Sequence, residues 1–467
     1  MLIRFPFFVI RSIRGGETVN FLTMKYHFKA TAKEKKLLKL LCRISKNIYN
    51  TSLYELRQQY FKNKSICTYF ELNKIIKNNP NYHILNTYQS ICTIRVAHNN
   101  MSKYIKYHNE DGLFIGKGNK DFASFPKYKK KKSLMPLVTD QIRPIWYKGC
   151  KCIKLPLSNL ARTSKIFNKV FEDELINLFI KESELKESFD IFFKIPKELY
   201  KYNIHQFRII PNSIGSEYTI EFTYEVGEYP KSKTDITKSM AIDLGVSNLA
   251  SCVITDNTSF IIDGKRLKSI NQFYNKQKAY FQSKLPQGVR YSKRLRNLDD
   301  RRNRQVEDYL NKAVSTLVNK AIESNIDEII IGWNNYIKTY GIKNNDLKGK
   351  DRKRTNQTFV QIPLSRFKDK LVFKCKQKGI KTVVINEAYT SKSSFYDNDP
   401  IDKYSYSGKR ITRGLYQTKN KQIINADINA ALNIYKKGVI TGNSTNDKIN
   451  HLMSRGLTIP NRILVTL

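Results

Sequence analysis

Met240-Ala-Ile-Asp-Leu-Gly-Val-Ser-Asn-Leu249 is the stretch on which the fold turns. An apolar run ends in an acid, passes a glycine turn and enters a second apolar run, the pattern of a strand and a tight return. Residues 249–255 and 259–263 continue as two more short strands, joined at Asp256-Asn257. Downstream, Val306, Leu310, Ala313, Val314, Leu317, Val318 and Ala321 keep helical spacing behind an arginine-dense run at 290–304. Asp327-Glu-Ile-Ile-Ile-Gly332 reads as a buried parallel strand. A helix over 364–379 then leads to Lys381-Thr-Val-Val-Ile-Asn-Glu387, a further strand closing on an acid. Asn425-Ala-Asp-Ile-Asn-Ala-Ala-Leu-Asn-Ile-Tyr435 is a helix with Asp427 in its first turn.

Hairpin-linked strands followed by a helix, a parallel strand and another helix give an α/β, RNase H-like order. In open α/β sheets ligands gather at the carboxyl ends of strands. Asp243 and Glu387 end strands there, and Asp427 can lean in from a helix packed on the sheet. Taken singly, each acid has an ordinary reading: a turn acid, a surface residue, a helix N-terminal acid favoured by the dipole. Together they form a set that repels itself unless cations answer it. Magnesium takes carboxylate oxygen and keeps several waters. Two such ions about 4 Å apart stabilise the attacking and leaving oxygens of an in-line displacement.

The bulk numbers fit a polyanionic partner. Lys and Arg total 83 against 40 Asp and Glu, a net charge of +43 over 467 residues. Such a charge strains a compact state unless a polyanion offsets it. Aromatics at 12% and a hydrophobic fraction of 40% mark a folded chain of two or three domains, not a basic tail. No run of about 18 apolar residues exists, so no membrane span is expected. The opening Met1–Ile10 is broken by Arg4 and Pro6 and is not read as a signal peptide. The seven cysteines are scattered without a CxxC pair, as reduced thiols in a reducing compartment would be.

The first half supplies a scaffold. Residues 24–30 read as a strand, and Thr31-Ala-Lys-Glu34 as a capping box. Leu37, Leu38, Leu41, Ile44, Ile48, Tyr49, Leu53, Leu56 and Tyr60 then trace a long amphipathic helix. Further helices are expected over 69–77 and from Asn86 toward Tyr107, with a Gly-, Asp- and Asn-rich loop over 109–121. In Phe125-Pro-Lys-Tyr-Lys-Lys-Lys-Lys132, Lys127, Lys129, Lys130, Lys131 and Lys132 are offered to phosphates, and Phe125 and Tyr128 to unpaired bases. Period-two patterning at 152–157, 189–195 and 218–226 indicates a small β domain, read as a barrel that takes in the 24–30 strand.

These residues resemble a known family. Ile242-Asp-Leu-Gly-Val-Ser-Asn-Leu249, Glu387-Ala-Tyr-Thr-Ser-Lys392 and Asn425–Ile434 look like the three signatures of the TnpB proteins. Those are transposon-encoded RNA-guided nucleases related to the type V CRISPR effectors. Arg208-Ile-Ile-Pro-Asn212, Arg301-Arg-Asn-Arg-Gln305 and Asn356-Gln-Thr-Phe-Val-Gln-Ile-Pro363 are similar too. The resemblance implies a helical recognition domain (31–112), a wedge β-barrel (24–30 and 113–232) and a RuvC-like nuclease (238–388 and 425–438). It further implies an insertion at 389–424, a tail at 439–467 and an extension at 1–23.

By motif match Asp243, Glu387 and Asp427 would be the catalytic, metal-binding acids. Two Mg2+ ions are expected, with Mn2+ as the alternative. The partners would be a guide RNA and double-stranded target DNA, with no membrane and no small-molecule substrate. The location would be the prokaryotic cytoplasm, at the nucleoid. Many relatives carry four zinc-binding cysteines between the second and third acids, whereas 389–424 has none, so no zinc is expected. Ser393, Ser394, Asp397 and Asp399 stand where the first ligands would be. Nucleic-acid contacts are expected from Arg301, Arg302 and Arg304, and from Lys409, Arg410 and Arg413 over the scissile strand. The competing expectations are an RNA-guided repressor with little cleavage and an RNA-independent transposase.

Overall fold

A computed structural model describes residues 2–3, 11–14, 17–108, 124–158, 190–334, 361–412, 414–441, 449, 452 and 460–465. The loop expected over 109–121, most of 356–363, and Arg413 lie outside them. The chain divides into two units, Met1–Glu228 and Tyr229–Leu467. Among the described residues no helix is long and apolar enough to cross a membrane.

The first unit begins with β1 (Leu2–Ile3), β2 (Arg11–Arg14) and β3 (Glu17–Phe28). The strand expected over 24–30 therefore starts at 17, and residues assigned to an N-terminal extension join the sheet. Helix α1 (Ala32–Asn63) opens on the capping box: Thr31 Oγ1 accepts from the Glu34 amide at 3.3 Å, and Glu34 Oε2 accepts from the Thr31 amide at 2.6 Å. Its apolar stripe from Leu37 to Tyr60 is buried, as the three- and four-residue spacing requires. Helices α2 (Tyr69–Lys77), α3 (Pro80–Ile84) and α4 (Thr87–Tyr107) pack around it.

Six more strands complete this unit: β4 (Leu137–Thr139), β5 (Pro144–Tyr147), β6 (Cys150–Lys154), β7 (Phe192–Lys194), β8 (Ile204–Pro211) and β9 (Tyr218–Val226). They form an open sheet, β1-β3-β9-β8-β4 with β2 on β3, and a separate three-stranded sheet, β5-β6-β7. The expected barrel is corrected here: among the described residues no closed barrel exists. Strand β4 is only three residues long, and α1 and α4 pack against it.

The second unit is built on one mixed sheet. Its strands are β10 (Ser239–Leu244), β11 (Asn248–Ile254), β12 (Ser259–Asp263), β13 (Glu328–Trp333) and β14 (Lys381–Asn386). With β18 (Asn461–Ile463) they run in the order β14-β13-β10-β11-β12-β18. Antiparallel hairpins join β10, β11 and β12; β13 and β14 lie parallel to β10, and β18 lies parallel to β12.

Helices α5 (Lys265–Ser283), α6 (Lys293–Glu323) and α7 (Leu364–Gln377) belong to one side, whose core holds Met240, Ile242, Leu310, Val314 and Phe367. Helix α8 (Ala426–Thr441) covers the other side with Ile428, Leu432 and Ile434 against Ala241, Val253 and Ile330. Between β14 and α8 a small sheet forms from β15 (Lys409–Thr412), β16 (Leu415–Gln417) and β17 (Ile423–Asn425).

Candidate acidic site

Strand alternation selects the face on which the acids stand. Successive side chains of β10 point to opposite sides, and Ala241 belongs to the core under α8, so Asp243 shares that side. In β14, Ile385 packs toward the same core, and Glu387 follows one residue past the strand. The α8 side therefore receives both acids.

Helix α8 brings the third by lying unusually close to β13. A Cβ built on Gly332 would stand 2.3 Å from Ile434 Cδ1 and 3.3 Å from Glu387 Cβ; one on Gly438 would meet Ile330 Cγ2 at 2.8 Å. Only hydrogens at both glycines permit this packing. Asn425 starts the helix by accepting from the Asp427 and Ile428 amides at 3.0 and 3.1 Å, which directs the Asp427 carboxylate back toward the sheet.

Asp243 senses both other acids. The Asp243 carboxyl is pushed up to about 8, first by burial, then by the charges of Asp427 and Glu387, with Arg410 opposing. Burial pushes Glu387 up to about 7. Both Asp427 oxygens are engaged: Asn248 Nδ2 donates to Oδ2 at 2.6 Å, and Arg410 donates to Oδ1 at 3.0 Å. Across the hairpin from Asp243 sits Ser251, a buried residue whose hydroxyl has no hydrogen-bond partner among the described residues.

These donors suit a hard divalent cation, because they are carboxylate oxygens with a spare hydroxyl beside them. Their present spacing is not a coordination sphere: among the described residues no three His, Cys, Asp or Glu side chains stand close enough to hold a metal. The Arg410 guanidinium supplies positive charge at Asp427.

The insertion holds itself together with hydrogen bonds. Asp399 Oδ2 accepts from the amides of Ser394 and Ser407 at 2.8 and 2.9 Å, and Asp397 Oδ2 accepts from Ser394 Oγ and the Lys419 amide at 2.6 and 2.8 Å. Buried Asn429 and Asn433 of α8 both donate to the Ser393 carbonyl, at 2.8 and 2.7 Å. So Ser393, Ser394, Asp397 and Asp399, at the positions expected for metal ligands, are tied to α8 and to the small sheet.

Of the expected basic contacts, Arg410 is bonded to one of the acids, Asp427. The 127–132 run is strapped down by its backbone. Asn50 of α1 exchanges hydrogen bonds with the Lys129 backbone at 2.9 Å each way, and Lys46 Nζ reaches the Lys131 carbonyl at 3.1 Å. The Lys130 carbonyl closes a turn, accepting from the Ser133 hydroxyl at 2.7 Å and the Ser133 amide at 3.0 Å. None of these bonds uses a side chain of the run, and Lys127, Lys129, Lys130, Lys131 and Lys132 are all exposed, as residues offered to phosphates need to be. The rings expected to stack on bases are otherwise engaged. Arg57 lies 4.7 Å from the Phe125 ring and 4.5 Å from Tyr128, and Phe125 also packs on Tyr60, Phe61 and Tyr104. Arg302 likewise ties α5 to α6, donating to Asn271 Oδ1 at 2.8 Å and to the Gln361 carbonyl at 2.5 Å. Arg301, Arg304 and Lys409 are exposed. Asn248 was not singled out from the sequence, although it sits inside the first acidic motif.

Two family models match the chain: one described as "Probable transposase" over residues 221–337, and the "Cas12f1-like, TNB domain" over 365–434. They meet the segments that carry the three acids. The cryo-EM structure of a Cas12f1–sgRNA–target DNA complex is similar at 15% identity over 86% of this chain and 83% of that one, with a TM-score of 0.54. The mini-RNA-guided endonuclease CRISPR-Cas_phi3 aligns at 11% identity over 90% of this chain and 92% of that chain, with a TM-score of 0.42. No curated protein matches the chain. The mixed α/β fold is thus similar to that of the Cas12f effector.

Proposed function

We propose a function from one premise: the chain is a TnpB-like family member. On this reading it is a guide-RNA-directed DNA endonuclease associated with a transposon. The second unit would be its RuvC-type, RNase H-like nuclease, and Asp243, Glu387 and Asp427 its metal-binding acids. The observation that carries the reading is the convergence of two strand-end acids and one helix-start acid on a single face, close enough for Asp243 to feel both others. Such mutual repulsion is tolerated at a site whose working state includes cations.

Bound magnesium, as one or two ions, would supply Lewis acidity at the scissile phosphate and a hydroxide nucleophile from water. The residues prepare for that chemistry. Asp243 and Glu387 would offer carboxylates from rigid strand ends. Asn248 would hold the Asp427 carboxylate in one orientation, leaving its remaining lone pairs free. Arg410, on a strand of the insertion, would turn from Asp427 to the phosphate backbone of the strand being cut. The helices and sheets of the first unit would serve as recognition and wedge parts for guide RNA and double-stranded DNA, with the exposed lysines of the 127–132 run on phosphates.

The test is Asp243→Ala. The variant should bind guide and target as the parent does while cutting falls by at least about a thousandfold; undiminished cutting would remove the assignment. A second reading is favoured by the description of the first family model: a transposase that joins DNA ends without RNA. Ribonuclease treatment of the purified protein separates the two, since only the RNA-guided enzyme loses its activity.

A further inference from the structure

The first unit presents an aromatic platform that the readings above leave without a role. Strands β5 and β6 form a hairpin around Lys148–Gly149, both with positive φ (48° and 71°), a turn that matches the natural twist of paired strands. Every residue of β5 is exposed, and Trp146 is 70% exposed. The chain's other tryptophan, Trp333, is partly buried against the core of the second unit.

Trp146 stands out in the open but is held firmly. Its ring meets Tyr200 edge to face at 5.9 Å, and the Tyr200 hydroxyl accepts from the Lys151 amide at 2.9 Å. On the other side of the hairpin Tyr147 stacks on Phe192 at 3.8 Å with 5° between the rings. Cations frame the rings. Lys151 lies directly across from Trp146 in the strand register, with its ammonium 5.8 Å from the Tyr200 centroid, and Lys148 at the hairpin tip lies 5.4 Å from Tyr147.

A solvent-facing indole with a lysine across the hairpin and another at its tip is what a single-stranded nucleic acid needs: a flat surface for a base and point charges for the phosphates beside it. A lipid surface would favour an apolar tip, and this tip is Lys148–Gly149. A protein hot spot would sit inside a surrounding patch that excludes water, and here Lys151 stands directly across from the indole.

We propose that Trp146 is a stacking platform for an unpaired base of the guide RNA, with Lys148 and Lys151 on the flanking phosphates. This rests on the reading of the chain as RNA-guided. RNA is chosen over DNA because a bound guide offers unpaired bases throughout, whereas the target offers them only once opened.

The chain's two tryptophans make the test direct. In a Trp333→Phe protein the emission reports Trp146 alone, and it is followed during titration with single-stranded poly(U) RNA, with duplex RNA and with anionic phosphatidylserine vesicles. Stacking predicts quenching by poly(U). In parallel mobility-shift measurements, Trp146→Ala should weaken poly(U) binding about tenfold, while Trp146→Phe restores most of it. Circular dichroism melts of both variants show that the hairpin's loss of a ring has not unfolded the unit. Poly(U) binding with unchanged emission, or equal affinity in Trp146→Ala, overturns the platform while leaving the RNA-guided reading intact. No binding of any RNA overturns that reading as well, and a response to vesicles alone assigns the hairpin to a lipid surface.

Discussion

Asp427 is the residue whose surroundings say most about how the site works. Its two oxygens are divided between the amide of Asn248 and the guanidinium of Arg410, which on the proposed function would turn away when a cation binds. Outer partners that orient a ligand commonly account for about 10- to 100-fold in metal affinity. Asn248→Ala should therefore weaken Mg2+ binding by roughly tenfold in calorimetric titration of the apo-protein, with Asn248→Asp failing to restore it. Unchanged affinity would reduce Asn248 to a strand-end polar residue.

The raised acids make a second prediction. Asp243 at about 8 and Glu387 at about 7 hold their protons more tightly folded than unfolded. Their contribution to stability is thus complete in acid and is lost as pH climbs through 7 and 8. In EDTA the melting temperature should fall over that range by more than in Asp243→Asn; Mg2+ should flatten the decline, because the ion prefers the ionised site. A melting temperature that rises with pH in EDTA would contradict the cause assigned here.

Asp243 and Glu387 could be placed at strand ends from the sequence because each follows a continuous apolar run. The Asn248–Asp427 bond was not, since it joins residues 179 positions apart. Arg410 was legible as a charge, but its partner was decided by the register of the small sheet.

At the scale of elements, the decisive contact is α8 on β13. Gly332 and Gly438 let the helix settle where branched side chains from each element interdigitate. Gly332→Val should push Ile434 away and cost about 1–3 kcal/mol of stability in urea unfolding, as overpacking of a filled core does. Because the same shift carries Asp427, cleavage should fall by more than the loss of folded protein explains; a proportional fall would mean that α8 does not set the acid's position. The capping box and the long buried stripe of α1 could be read directly, since both are local rules. The barrel could not, because closure depends on whether distant strand edges meet. Strand β5 escaped notice for a related reason: Pro144-Ile-Trp-Tyr147 is exposed on both faces and shows no alternation.

For the whole molecule the governing quantity is charge. A protein with a net charge of +43 that engages nucleic acid through many phosphates should lose affinity steeply with salt, by about three to five orders of magnitude between 50 and 200 mM if it makes six to ten contacts. A slope of log Kd against log salt near zero would exclude a phosphate-dominated interface. The +43 charge was fully legible from composition.

The last strand of the second sheet has a bearing on synthesis. Strand β18 covers the edge of β12, and Arg462 donates to Asp263 Oδ1 at 2.6 Å, yet β18 follows β12 in the chain by roughly 200 residues. At ribosomal rates of about 5–20 residues per second, the β12 edge waits some 10–40 s for its partner. During that interval an open, apolar strand edge is exposed to neighbouring nascent chains. The protein is therefore most vulnerable to aggregation before its final strand has left the ribosome.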